Sequence, residues 1–244
     1  MKSTVVVGFG SFGKLFCEIF KNDLDISVID NDTVKNQEIE CLGLKSVAVD
    51  TVGQFDFVVL CVPISSFEET VRDIAVYVSE NQIIMDICSV KVMPANAMKR
   101  YLSHAKLIAT HPMFGPESAA EGLSGLKMAL CKLNCDNNEI EEMWRSKGVD
   151  VIGTTPEDHD KDAAYSQALT YVIARFVNDM KMPLVKFETR SFQKITEMAS
   201  YSANDSERLY HDMIRYNPFA SEAILRAESV FEETITKAIN YLTD

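Results

Sequence analysis

The sequence lacks the features that would place it in several broad classes of protein. No run of about 18 consecutive apolar residues occurs, so no membrane-spanning helix is predicted. No cluster of lysine or arginine stands out, and the 244 residues carry a net charge of −12, so nucleic acid is not an expected partner. With 47% hydrophobic and 25% charged residues, the composition is ordinary for a globular chain with one large or two modest domains.

Cysteine is present but follows no metal-binding or redox pattern. The spacing of the six cysteines fits neither a zinc site nor a CxxC pair, so no metal site is predicted. Three of them stand in apolar runs typical of buried strands or helix faces, which indicates free thiols in a reducing compartment. The first residues run directly into a β-branched segment rather than the apolar region of a signal peptide. We therefore expect a soluble, cytoplasmic protein.

The first half contains a glycine-rich turn between a predicted strand and a predicted helix. A β-branched run at 4–7 is typical of a buried parallel strand, and apolar residues recur at helical spacing over 14–20. The G-x-G-x-x-G turn between them consists of Gly8, Phe9, Gly10, Ser11, Phe12 and Gly13. Such glycines permit a tight turn, the approach of backbone amides to a pyrophosphate and close helix packing. This pattern predicts a dinucleotide site; the alternative is a plain glycine turn.

An acidic residue, Asp30, ends the second predicted strand at 26–29. It lies 22 residues after Gly8, where an acid accepts hydrogen bonds from an adenosine ribose. A carboxylate there repels a 2′-phosphate, and neither Asn31 nor Asp32 supplies an arginine to bind one, so NAD is predicted as the cofactor. Lys35 is the nearest cation and keeps NADP open as an alternative. The other interpretation of Asp30 is a helix cap.

Strands and helices continue to alternate up to residue 153. Further strands are predicted at 57–62, 82–87, 106–110, 128–133 and 148–153. We expect Ser66 to cap a helix that runs through Tyr77.

The carboxyl ends of these strands gather the candidate functional residues, because ligands of open α/β sheets bind beyond that edge. Four features are expected there: the glycine-rich turn, Val62 with Pro63, Ser89, and His111.

The run H-P-M-F-G-P-E-S at 111–118 suggests the chemistry. Pro112 and Pro116 fix φ and exclude helix, which predicts a stiff loop directly after a strand. The imidazole of His111 titrates near neutral pH, so it is a candidate base for taking a proton from a substrate. The alternative is a histidine that only ends the strand.

The second half is predicted to be helical. A long apolar face runs from Ala163 to Met180 in a helix that begins near Pro156, and further helices are predicted from about residue 191, at 209–215 and at 220–241. Fewer than about 100 residues barely cover their own apolar faces, so we predict a homodimer through this part; the alternative is that these helices cover the sheet edge. The predicted fold is α/β: a Rossmann-type dinucleotide-binding domain over 1–153, then an all-helical substrate and dimerisation domain over 154–244.

Several blocks carry a resemblance to one family over nearly the whole chain. They are the glycine-rich turn, D-x-x-S-V-K at 86–91, H-P-M-F-G-P-E-S at 111–118, E-D-H-D at 157–160, S-Q at 166–167, the segment from 189 through 206, L-Y at 209–210 and Y-N at 216–217. The chain resembles the prephenate/arogenate dehydrogenases of tyrosine biosynthesis, in particular the plant-type arogenate dehydrogenases. Asp30 departs from the plant enzymes, which resemble NADP users.

The resemblance implies NAD(P)-dependent oxidative decarboxylation of a cyclohexadienyl substrate. His111 would accept the proton of the ring hydroxyl, hydride would leave the same carbon for nicotinamide, and CO2 would depart as the ring becomes aromatic. Ser89 would hydrogen-bond at the same locus. Because aromatisation drives the reaction, the protein mainly positions groups and moves one proton.

The resemblance also implies substrate-binding positions in the second half. These are Gln167, Thr170, Tyr171, Lys194 and Asp205. Tyr171 stands where many relatives carry a second histidine, and Lys194 and Arg190 are the cations near a position that holds a carboxylate-binding arginine in prephenate-type relatives. Asp205 aligns with an acid that favours the ammonium of arogenate over the keto group of prephenate, so arogenate is the preferred substrate in this hypothesis and prephenate stays open. The alternative role of Asp205 is a helix cap.

Two other functions fit parts of the pattern. One is another dehydrogenase or an imine reductase of the same architecture, with Lys161 or Lys194 in the site, but neither lysine accounts for the His111 run. The other is a non-catalytic nucleotide-sensing module, against which the presence of both Ser89 and His111 argues.

Overall fold

The computed structural model describes residues 1–203 and 206–242. The chain divides into two compact units, Met1–His159 and Asp160–Asp244. The described helices include none that is long and apolar enough to cross a membrane.

The first unit is built on one eight-stranded sheet. Its strands are β1 (Lys2–Val7), β2 (Leu24–Ile29), β3 (Lys45–Ser46), β4 (Phe57–Leu60), β5 (Ile83–Asp86), β6 (Lys106–Pro112), β7 (Lys127–Lys132) and β8 (Asp150–Gly153). The order in the sheet is β3-β2-β1-β4-β5-β6-β7-β8, and each pair is parallel except β6 with β7. The first six strands have the doubly wound order that reverses between β1 and β4, which confirms the predicted Rossmann-type fold.

Helices connect the strands of this unit. They are α1 (Ser11–Phe20), α2 (Asn36–Cys41), α3 (Ile64–Ile74), α4 (Val92–Tyr101), α5 (Pro116–Ala119) and α6 (Glu139–Arg145), with 3₁₀ turns at Thr33–Lys35 and Val49–Gln54. After β8, α7 (Pro156–Ala163) begins in this unit and continues beyond its last residue, His159. The helix predicted to start at Ser66 begins two residues earlier and ends at Ile74, so Ser66 lies in its first turn and Pro63 is the N-cap. Pro63 suits that place because it has no backbone N–H that the helix would leave unpaired.

The core of the first unit is aliphatic in the sheet and aromatic beside it. The central strands β1, β4 and β5 are buried over most of their lengths, as β-branched runs in parallel sheets are. The single tryptophan, Trp144 of α6, packs edge-on against Phe16 and Phe20 of α1, with ring centroids 6.0 and 4.9 Å apart. Each fully buried side chain of this size contributes roughly 1.5–3 kcal/mol. These contacts fix α1, whose first turn contains the last residues of the glycine-rich turn.

The histidine run begins inside a strand rather than in a loop, which corrects the prediction. His111 and Pro112 are the last two residues of β6 and pair with Ala129 and Met128 of antiparallel β7. Met113 donates its N–H to the carbonyl of Lys127, and because bonded pairs alternate along such a ladder, the nitrogen of Pro112 faces away from β7. Strand β5 has already ended on that side, so proline removes no ladder bond there.

The described elements of the second unit are helical. They are a π-helical segment (Ala164–Leu169), α8 (Thr170–Asp179), α9 (Arg190–Ala203), α10 (Glu207–Tyr216) and α11 (Ala220–Asn240). The long helix predicted from Pro156 to Met180 is thus interrupted by the π-helical segment, where the hydroxyl of Thr170 donates to the carbonyl of Tyr165 at 3.1 Å. Such segments are rare and frequently occur at functional sites.

Candidate active site

Three parallel strands end at one level of the sheet. Val7, the last residue of β1, is in register with Leu60 at the end of β4, and Leu60 is in register with Asp86 at the end of β5. The glycine-rich turn, Val62 with Pro63, and the loop that carries Ser89 therefore leave the sheet from the same edge. This edge, at the reversal of strand order, is where ligands of such folds bind.

The glycine-rich turn is shaped by contacts that admit no side chain at two positions. Gly8 has φ +98°, and a Cβ there would lie 2.5 Å from the carbonyl oxygen of Cys61 and 3.0 Å from Val62. A Cβ on Gly13 would overlap the carbonyl oxygen of Gly8. Together these contacts hold the start of α1 against the end of β4.

Gly10 faces an open space at the start of α1, which is called the cradle below. A Cβ there would meet no heavy atom of the described chain within 4 Å, and no side chain in the described ranges caps the helix. The first backbone N–H groups of a helix attract an anion. The turn therefore fits the diphosphate of a dinucleotide, with Ser11 and Phe12 in the first helical turn.

Asp30 lies directly after β2 and contacts the glycine-rich turn. Its carboxylate accepts hydrogen bonds from the N–H of Phe9 at 2.6 Å and of Asp32 at 2.8 Å, and from the ammonium of Lys35 at 3.0 Å. Although burial opposes ionisation, the backbone donors and Lys35 together lower the pKa of Asp30 below its ordinary value. These hydrogen bonds thus fix the Asp30 carboxylate beside the glycine-rich turn, and Asp30 is not the cap of a helix.

A buried ion pair anchors the loop that carries Ser89. The ammonium of Lys91 donates to the carboxylate of Asp86 and to the carbonyl of Thr110, and both charged side chains are fully buried. Asp86 also accepts from the N–H of Cys88 at 2.9 Å and of Thr110 at 3.2 Å. Burial raises the pKa of Asp86, and the attraction of Lys91 offsets this only in part. The network joins the loop of half-buried Ser89 to the strand residue before His111.

His111 is buried and contacts a second histidine. Its Nδ1 lies 2.9 Å from Nε2 of His159, with the two rings at 72°. Burial, and after it the neighbouring charges of His159 and Lys91, holds the pKa of His111 well below 6.5. The expectation that His111 titrates near neutral pH is therefore wrong: burial keeps the ring neutral at physiological pH, and its unprotonated nitrogen is the atom that can accept a proton.

Sequence reasoning missed the part played by His159, which stands in the E-D-H-D block but was given no role. It lies in the first turn of α7, after β8. The chain has only four histidines. That small number is the signal in the sequence that could have suggested a contact between His159 and His111.

Phe114 links the histidine run to the glycine-rich turn. Its ring centroid lies 6.1 Å from that of Phe12 and 6.1 Å from that of Trp144. The H-P-M-F segment is thus packed against the first turn of α1, although the sequence separates the two by about a hundred residues.

The predicted substrate-binding residues lie in the second unit. Gln167 is half-buried in the π-helical segment, and Thr170 and Tyr171 are the first two residues of α8, also half-buried. Lys194 is exposed on α9. Asp205 lies outside the described residues. The roles of these five residues stay predictions.

Comparison with known proteins gives the family. Residues 20–153, which are 134 of the 244 residues, match the family described as "Prephenate dehydrogenase, nucleotide-binding domain". The chain belongs to the prephenate dehydrogenase family. The resemblance inferred from the motifs is thereby confirmed. Residues 176–241 also match a family described as "TYRAAT1-like, C-terminal domain".

Two relatives in Arabidopsis thaliana are similar to nearly the whole chain. Arogenate dehydrogenase 1, chloroplastic, is 25% identical over 251 residues, which cover 97% of this chain and 39% of the relative. Arogenate dehydrogenase 2, chloroplastic, is 27% identical over 241 residues, which cover 93% of this chain and 67% of the relative. The chain thus spans well under half the length of the first relative.

A solved member of the family has the same fold. The prephenate dehydrogenase from A. aeolicus, in complex with hydroxyphenyl propionate and NAD+, superposes with a TM-score of 0.77 at 21% identity. The similarity covers 100% of this chain and 91% of that one.

Proposed function

We propose that this chain catalyses the NAD-dependent oxidative decarboxylation of arogenate to tyrosine, with prephenate as an alternative substrate. The observation that carries the proposal is the buried His111, kept neutral by its surroundings and held through Nδ1 by His159. A neutral, oriented imidazole at the end of a strand beside a dinucleotide cradle suits proton abstraction from a substrate hydroxyl.

The tautomer of His111 follows from its assigned task. If the Nδ1–H of His111 donates to Nε2 of His159, then Nε2 of His111 carries the lone pair, and we assign proton acceptance to that atom. The imidazolium that forms keeps its Nδ1–H on His159, so the ring keeps its orientation when it is protonated. His159 is accordingly a positioning residue for the base.

The reaction balances with this single proton. His111 takes the proton of the ring hydroxyl as the carbon that bears it loses hydride and becomes a carbonyl. When bound, the nicotinamide supplies the hydride acceptor. The bond to the ring carboxylate then breaks, CO2 leaves, and the bond's electron pair makes the ring aromatic with a phenolate oxygen. The proton held on His111 returns to that oxygen, so no net base is consumed.

Ser89 is proposed to donate a hydrogen bond to the same hydroxyl group. The Asp86–Lys91 pair supports this role because it fixes the Ser89 loop to Thr110, the neighbour of His111. The position of the loop relative to the base is therefore set by a buried network rather than by a mobile connection.

NAD is the proposed cofactor, and the outward cradle at Gly10 and the carboxylate of Asp30 support it. Both the N–H of Phe9 and the adenosine ribose would then use Asp30. We assign Val62 and Pro63 to the wall of this site, since they follow β4 at the reversal of strand order. The A. aeolicus enzyme was solved in complex with NAD+, which supports NAD as the cofactor of this chain.

The second unit is proposed to bind the substrate and to form a homodimer. Gln167, Thr170, Tyr171, Lys194 and Asp205 keep the substrate-binding roles that the resemblance implies, with Asp205 favouring the ammonium of arogenate. Exposed apolar side chains on α8 and α11, such as Phe176, Phe231 and Ile235, support the dimer. The domain boundary after residue 153 and the cytoplasmic location stay predictions.

The test measures turnover with all four combinations of arogenate or prephenate and NAD or NADP. We expect reduced cofactor and CO2 in equal amounts, with the highest kcat/KM for arogenate and NAD. Binding of NAD without turnover of either substrate would instead support a nucleotide-sensing module. Oxidation of other hydroxy acids without CO2 would support a different dehydrogenase.

A further inference from the structure

The ribose-binding carboxylate of Asp30 is already engaged by three donors of the protein. Phe9 and Lys35 donate to Oδ2, and Asp32 donates to Oδ1. An ionised carboxylate offers about four lone-pair sites, so little capacity is left for both hydroxyls of a ribose. One of the three donors differs from the others in kind, because Lys35 is a mobile charged side chain whereas the other two are backbone groups.

Lys35 also changes the charge of the site. Its ammonium lies 3.0 Å from Asp30, whose side chain is 9% exposed, and its own side chain is 32% exposed. The net charge of the Asp30–Lys35 pair is therefore close to zero. This reduces the repulsion between Asp30 and the 2′-phosphate of a cofactor. A second carboxylate of this segment, that of Asp32, accepts a hydrogen bond from the N–H of Val34 at 3.0 Å.

We propose that Lys35 is the residue that decides between NAD and NADP, with its ammonium binding the 2′-phosphate of NADP, so that the chain accepts both cofactors. This inference rests on the proposed function. With NAD, the ammonium stays on Asp30 while the ribose hydroxyl uses the remaining acceptor capacity. With NADP, the ammonium turns from Asp30 to the phosphate.

The local backbone suits such a movement of the side chain. Lys35 ends a 3₁₀ turn whose first residues are held by the cap of Asp32 on Val34, so the main chain stays in place. A lysine side chain has four flexible methylene groups, and its three donors can reorient toward a new anion. The carboxylate of Asp30 keeps its two backbone donors when the ammonium leaves.

The experiment measures dissociation constants of the full chain for NAD+ and NADP+ by isothermal titration calorimetry. Lys35→Ala is expected to weaken NADP+ binding by about tenfold or more, the loss of a charge-assisted contact, and NAD+ binding by less than about threefold. Lys35→Arg should keep NADP+ binding because it keeps a cation. Lys21→Ala, which removes an exposed lysine at the far end of α1, is the control for the change in net charge.

The same substitution in an Asp30→Asn variant distinguishes two roles of Lys35: direct contact with the 2′-phosphate, and neutralisation of the Asp30 carboxylate. In Asp30→Asn, Lys35→Ala should still weaken NADP+ binding, because the lysine contacts the phosphate itself. Three results would overturn the inference and leave the proposed function intact. Lys35→Ala could weaken the binding of both cofactors equally, or its effect on NADP+ binding could vanish in Asp30→Asn. The third result is a wild-type chain that binds NAD+ but not NADP+. Failure to bind either cofactor would overturn both.

Discussion

The Nδ1 atom of His111 lies 2.9 Å from Nε2 of His159, so each imidazole limits the tautomer and orientation of the other. Only one of the two atoms can carry the shared hydrogen. The tautomer with that hydrogen on His111 leaves a lone pair on Nε2 of the same ring, and protonation there creates a cation whose hydrogen bond to His159 is kept. Burial, and after it the neighbouring charges of His159 and Lys91, oppose that cation by lowering the pKa of His111, and so favour the neutral ring.

Replacement of His111 by Asn should abolish most of the turnover. General base catalysis contributes about 10²- to 10⁴-fold, and an amide does not accept a proton near neutral pH. We expect kcat to fall within this range while the dissociation constant for NAD+ changes little. Steady-state kinetics and calorimetry give the two quantities, and near-normal kcat would remove His111 from the mechanism.

Replacement of His159 by Asn should impair the base without removing it. Loss of the ring that orients His111 is expected to lower kcat by about ten- to hundredfold. Because His159 lowers the pKa of His111, its loss should also move the acidic limb of the kcat/KM profile to higher pH. His104→Gln, at an exposed histidine of the same unit, should change neither quantity. An unshifted profile would show that His159 does not act on His111.

Two alanine substitutions in the glycine-rich turn should have opposite consequences. Gly13→Ala places a Cβ on the carbonyl oxygen of Gly8 and should lower the melting temperature markedly, because backbone must move. Gly10→Ala places a Cβ in open space and should leave the melting temperature unchanged, yet weaken NAD+ binding where the diphosphate would approach. Thermal denaturation and calorimetry test both, and an unchanged NAD+ affinity in Gly10→Ala would argue against the cradle.

The stability of the protein should fall as the pH drops below 6.5, in part because of His111. The unfolded chain protonates this imidazole near 6.5, whereas the folded chain does so only at lower pH, since the folded-state pKa is depressed. The unfolded state then binds more protons, so the free energy of unfolding decreases as pH falls below 6.5, and above that value His111 makes no contribution. The difference in slope between wild type and His111→Asn, measured by denaturation from about pH 7.5 to about pH 5, isolates this effect. Equal slopes would contradict the depressed pKa.

The homodimer proposed for the second unit should dissociate when a charge is placed on its apolar face. Ile235, which is 44% exposed on α11, lies one helical turn from Phe231, whose ring contacts that of Phe176. Ile235→Glu should shift the sedimenting species from dimer to monomer, since burying an unpaired charge is costly. Ser229→Glu, on the other side of α11, is the matched control and should stay dimeric. A monomeric wild type would refute the dimer.

Local patterns were sufficient to predict the dinucleotide-binding fold. The turn from Gly8 to Gly13 stands between an apolar strand and an amphipathic helix, and this order has few structural solutions. The strand boundaries were less predictable. His111 and Pro112 were expected in a loop because Pro112 and Pro116 fix φ and exclude helix. The pairing with β7 that places them in a strand depends on a segment about 16 residues further along the chain.

The sequence by itself determined which residue types stand at each strand end, because a parallel sheet brings its carboxyl edges together once the alternation of strands and helices is given. Only the tertiary structure decided which of them touch. His159 reaches His111 across 48 residues, and Lys91 reaches the carbonyl of Thr110 across 19, through contacts that arise when β5, β6 and α7 pack. Such pairings depend on the placement of whole elements. Local periodicity therefore predicted where the candidate site lies, whereas the contact between His111 and His159 came from the packing of distant segments.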